Sequence, residues 1–167
     1  MVRSNNRLWR RVRWLGVNLC RMLLSLTFIL SGIVKLIDPV GTQYKIEDYA
    51  QAFGLSALLP GFVPLLLAVG LAFLEFDLGI CLFFGSHRKR ASRFCLLFLA
   101  LMTPLTLYLA LDNPVSDCGC FGDAIGMSNT ASFVKNLFLL MLAVIVFLGR
   151  KRFVVNITAK NRWMVVL

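Results

Sequence analysis

Residues Phe62–Phe84 read FVPLLLAVGLAFLEFDLGICLFF, an apolar run broken only by Glu75 and Asp77. A helix crosses the hydrocarbon core of a bilayer in about 20 residues, so this stretch is long enough to span one. In lipid every backbone amide must pair within its own segment or a closed barrel. The period-two alternation of a barrel strand is absent here, so the stretch reads as a transmembrane helix. Working outward, three further runs match it: Leu15–Ile37, Phe94–Leu111 and Ala131–Leu148. The composition agrees, because 59% hydrophobic and 16% charged residues leave too little polar surface for a soluble domain of 167 residues. The expected fold class is all-α, a four-transmembrane-helix bundle forming a single domain over residues 1–167.

The charges sort by connection. Arg3, Arg7, Arg10, Arg11 and Arg13 precede the first run, and Arg88, Lys89, Arg90 and Arg93 join the second to the third. Arg150, Lys151, Arg152, Lys160 and Arg162 follow the fourth, so fourteen of the 18 Lys and Arg residues lie in these three segments. The remaining two connections hold six of the eight acids: Asp38, Glu47, Asp48, Asp112, Asp117 and Asp123. Basic residues beside spans mark the cytoplasmic face, which predicts both termini inside. The net charge of +10 is therefore a topology signal. It is no nucleic-acid footprint, because the basic runs abut spans. The first span is too long for a signal-peptide core and lacks a small-residue cleavage site, so no cleavable signal is expected.

The first outer connection, Asp38–Gly61, mixes Ile46, Tyr49 and Phe53 with Glu47, Asp48 and Gln51. This pattern predicts a short amphipathic helix at the outer interface over Lys45–Phe53, stopped by Gly54; an irregular loop is the alternative. In the second outer connection, Ser128, Asn129 or Thr130 can cap the fourth span. Pro104 is expected to kink the third.

That second connection also carries Asp117-Cys-Gly-Cys-Phe-Gly-Asp123. The expected topology puts Cys118 and Cys120 outside the cytoplasm, where disulfides persist. Two thiols one Gly apart can close a small ring, with Gly119 easing the backbone. A strained, exposed disulfide is an oxidising one, and Lys135 or the start of the fourth span would favour a thiolate. Cys118 and Cys120 are thus candidate catalytic residues. A structural staple and two buried loop thiols remain open. A zinc site is disfavoured, since four ligands do not cluster and the one histidine, His87, lies at the other face. Cys20, Cys81 and Cys95 read as small apolar packing residues.

Arg21, Glu75 and Asp77 interrupt spans. Charges at such depth face the protein interior and pair. Counting inward from the basic ends gives Arg21 a depth similar to Asp77 and Glu75, so an Arg21–Asp77 or Arg21–Glu75 pair is expected, unless Arg21 snorkels. Ala68, Ala72 and Gly79 share the Glu75 face, and small residues mark close helix packing in membranes. Glu75 should therefore face the bundle interior. Its role is either an interhelical lock or a polar interior site for a proton or a quinone head group.

Two stretches resemble known families. Ser31-Gly-Ile-Val-Lys35-Leu-Ile-Asp38-Pro39-Val-Gly41 resembles the signature of DoxX-like membrane proteins, and Cys118-Gly-Cys120-Phe121-Gly122-Asp123 is similar to the MauE branch. The segment around Tyr44–Phe53 also looks like DoxX-type proteins. By position, Lys35, Asp38, Glu75, Cys118 and Cys120 would carry the family pattern. MauE proteins are associated with maturation of methylamine dehydrogenase, whose small subunit has many disulfides. The resemblance therefore implies a membrane-embedded thiol–disulfide redox or maturation factor of the bacterial inner membrane. It would act on a periplasmic thioredoxin-like protein or a secreted disulfide-containing protein. A quinone could be the onward acceptor, although no quinone site can be read from the sequence. The rival is a non-catalytic scaffold or assembly factor with Cys118–Cys120 as a staple. A transporter would need more midplane polar residues than these.

Overall fold

The computed structural model describes residues 2–55, 60–112 and 128–153. Five helices follow in order: α1 (Val2–Ile37), α2 (Pro39–Ala52), α3 (Val63–Phe84), α4 (Arg88–Asp112) and α5 (Asn129–Gly149), with a short 3-10 turn at Arg150–Arg152. Four stretches are long and apolar enough to cross a membrane: Arg11–Ile37 within α1, and the whole of α3, α4 and α5. The expected spans are thus all present as helices. α1 differs most, running unbroken from Val2, because nothing between the basic residues and the apolar run stops a helix. α4 likewise starts at Arg88 and continues through Pro104.

The helix boundaries follow from local chemistry. Asp38 accepts the backbone N–H of Gly41 at 3.0 Å, and Pro39 occupies the first position of α2. An aspartate cap followed by proline is a strong helix start, so α2 begins six residues before the expected Lys45. It ends where Gly54 takes φ +68, with the Leu55 N–H returning to the Ala50 carbonyl at 2.6 Å. Ser128 caps α5 by accepting the Ala131 N–H at 3.3 Å.

α1 and α3 pack closely because both present glycine. A Cβ on Gly32 would lie 2.7 Å from the Phe76 backbone nitrogen, and one on Gly79 would lie 2.7 Å from that of Ile29. Small residues let backbones approach in the membrane, where packing replaces the hydrophobic effect as the force between helices. Leu24, Phe28, Leu78, Leu82, Cys95, Leu99, Leu142 and Val146 join these helices to α4 and α5 in one core. Leu66, Leu101 and Leu148 stay 64%, 67% and 76% exposed. In water such a belt would drive aggregation; in a bilayer it meets acyl chains. α2 folds back on α3 at the end of the bundle away from the turn between α3 and α4, and the ring of Phe53, its C-terminal cap, meets Tyr108 of α4 at 5.3 Å.

Candidate functional site

Ser31 and Lys35 are one helical turn apart, so they share a face of α1. The close contact of α1 with α3 brings Glu75 against that face. Lys35 Nζ donates to Glu75 Oε2 at 2.7 Å and to Ser31 Oγ at 2.8 Å, and Ser31 Oγ donates to the same carboxylate oxygen at 2.6 Å. Lys35 is 2% and Glu75 5% exposed. Each ion would carry a desolvation penalty of several kcal/mol alone; here opposite charges and a shared hydroxyl offset it.

The group forms one wall of a cavity of about 210 Å³. Thr27 and Phe28 of α1, Thr42, Lys45, Ile46 and Tyr49 of α2, and Leu71 of α3 complete that side. Phe98, Leu99, Met102 and Leu105 of α4 and Lys135, Asn136 and Leu139 of α5 close the other. Asn136 donates to Thr106 Oγ1 at 3.3 Å, tying α5 to α4 beside the cavity. Three lysines against one glutamate make the walls rich in hydrogen-bond donors, while most of the lining is apolar.

The sequence-derived candidates divide accordingly. Lys35, Glu75 and Lys135 meet at the cavity. Asp38 is the cap of α2, so its contribution is to aim the helix that supplies Lys45 and Tyr49. Asp77 lies off the cavity, half-buried, with the Cys81 sulfur 3.9 Å from its carboxylate. Cys118 and Cys120 lie outside the described residues.

The expected pairing of Arg21 with Glu75 or Asp77 is corrected by the structure: the cation on Glu75 is Lys35. The reason is register. Gly32 meets Phe76 and Gly79 meets Ile29, so the antiparallel helices set Asp77 level with Ser31 and Arg21 level with the turn after α3. Arg21 is ten residues, about 15 Å, from Ser31 along α1. Counting depth from Arg13 and Ser86 treated them as one plane, whereas α1 carries Arg13 well beyond that turn. Arg21 is nonetheless fully buried, its guanidinium 5.2 Å from the centroid of the Phe153 ring. Ser31, Lys45, Tyr49 and Asn136 were missed as site residues; the available signal was a polar Ser31–Lys35 pair at helical spacing inside an apolar span.

A family model described as methylamine utilisation protein MauE matches residues 13–149, which takes in the cavity and all of the four spans but the first two residues of Arg11–Ile37. This chain belongs to the MauE family. No curated protein and no solved structure matches it. As a MauE-family chain with four apolar helices, it is a multi-pass membrane protein in contact with lipid. The match identifies the MauE side of the resemblance; the DoxX likeness rests on the Ser31–Gly41 stretch and the segment around Tyr44–Phe53.

Proposed function

We propose that this MauE-family protein is a thiol–disulfide redox or maturation factor of the bacterial inner membrane, acting on periplasmic partners through Cys118 and Cys120. The observation that carries the reading is where α4 ends and α5 begins. α4 ends at Asp112, seven residues beyond Leu105, and α5 starts at Asn129, six residues before Lys135; Leu105 and Lys135 both line the cavity. The stretch bearing Cys-Gly-Cys is thus anchored at both ends within roughly 10 Å, along the helices, of a lysine-lined cavity. Lysine cations favour thiolate, the form that attacks and exchanges disulfides. A thioredoxin-like protein or a secreted disulfide-containing protein is the partner class that chemistry serves.

The buried Lys35–Glu75 pair also supports a second reading, a scaffold whose α1 and α3 are locked together while the cysteines act as a staple. Complementation separates the two. In a deletion strain with a scorable defect, Cys118→Ser/Cys120→Ser should fail to restore function, and Cys120→Ser should accumulate a mixed disulfide with its partner. Full rescue by the double variant would establish the scaffold instead.

A further inference from the structure

We propose that the cavity holds the ring of a quinone, with its polar end at Lys35, Ser31 and Glu75. Membrane-spanning helices and α2 line the cavity, so a ligand that enters it from the bilayer must itself be lipid-soluble. Its volume of about 210 Å³ lies below the roughly 300–1,000 Å³ of a pocket for a drug-sized ligand. It therefore fits one substituted ring, with any isoprenoid tail left among acyl chains. Phe28 and Phe98, packed edge to face at 5.6 Å, supply the flat apolar contact that a planar ring prefers.

The polar groups narrow the class further. The polar lining is dominated by donors, which suits a ligand that accepts hydrogen bonds through carbonyl oxygens. Glu75 already balances Lys35 at 2.7 Å. A ligand that places its own carboxylate at Lys35 would have to compete with Glu75 for that cation, whereas a neutral carbonyl there would not.

Quinone reduction consumes two electrons and two protons. In apolar walls the protons must come through titratable groups, and Ser31 Oγ, hydrogen-bonded to both Lys35 and Glu75, links the two that could relay them. Closing one disulfide from two thiols releases two electrons and two protons, the same count that turns the quinone into its hydroquinone. This redox step rests on the thiol reading above; binding does not.

The test is titration of the purified full-length chain in detergent with decylubiquinone, following the heat of binding by calorimetry, and with dodecanoate as the carboxylate-bearing comparison. Saturable quinone binding is expected, with dodecanoate at least tenfold weaker. Met102→Trp, which adds bulk to the α4 wall of the cavity, and Glu75→Gln should each weaken quinone binding at least tenfold. The lipid-facing Leu66→Ala should leave it unchanged, and thermal unfolding of each variant reports whether it is folded. Non-saturable binding, binding indifferent to Met102→Trp in a folded protein, or tighter binding of dodecanoate would overturn the proposal. Repeating the titration with Cys118→Ser/Cys120→Ser separates the two ideas. Quinone binding by a double variant that also complements the deletion would keep this site and remove the thiol reading. Essential cysteines without quinone binding would do the reverse.

Discussion

At the residue scale, the weight falls on Lys35 and Glu75. Removing one partner of a buried pair strands the other charge, so Lys35→Met or Glu75→Leu alone should destabilise by about 3–5 kcal/mol. The double variant should lose much less, because no bare charge remains. Thermal unfolding in detergent of the two singles and the double measures this; additive losses would show that the pair contributes no coupling. Arg21→Leu combined with Glu75→Leu supplies the contrast. The two sites are far apart, so their effects should add within about 0.5 kcal/mol. That Glu75 faces inward was legible from Ala68, Ala72 and Gly79 on its face. Its partner was not, because depth counted along one helix says nothing of the register between two. Register came from Gly32 and Gly79, whose close contacts no single helix reveals.

At the element scale, the two glycines and the α2 cap each carry a separable prediction. Gly32→Leu or Gly79→Leu must push α1 from α3, since even a Cβ there would sit 2.7 Å from backbone nitrogen of the neighbouring helix. The expected loss is about 1–3 kcal/mol or more, with the Lys35–Glu75 contact broken as the helices part. Gly70 has open space where a Cβ would go, so Gly70→Ala should be neutral or stabilise by about 0.5–1 kcal/mol. Thermal unfolding of the three variants checks the order. Asp38→Ala should cost about 1 kcal/mol through the lost cap. Because α2 also positions Lys45 and Tyr49, it should lower quinone affinity more than its stability effect implies. The four spans were legible from length and apolarity alone. The true start of α2 was legible too, in Asp38-Pro39, but its apolar residues gather nearer its C-terminal end and drew the expected boundary there.

At the scale of the whole molecule, the chain is a lopsided electrostatic object. Its helices alternate in direction, so the start of α1, the α3–α4 turn and the end of α5 share one end of the bundle, and α2 with the cavity residues Lys45 and Lys135 lies toward the other. Fourteen of 18 basic residues attach to the first end, and basic residues flanking spans stay in the cytoplasm. The cavity and the connection bearing Cys118 and Cys120 should then face the periplasm, the compartment in which a disulfide can persist. This orientation is the condition on which any periplasmic role depends, and it can be tested without knowing a partner. In a cysteine-free background, Leu55→Cys lies just past α2 at 47% exposure and His87→Cys lies in the α3–α4 turn. A membrane-impermeant maleimide added to intact cells should label the first and spare the second until the membrane is permeabilised. Neutralising Arg88, Lys89, Arg90 and Arg93 together should leave that pattern unchanged, because ten basic residues remain in the two terminal segments of the same end. Labelling at position 87 but not at 55 in intact cells would invert the molecule, place Cys118 and Cys120 in the reducing cytoplasm, and remove the ground for a periplasmic redox role.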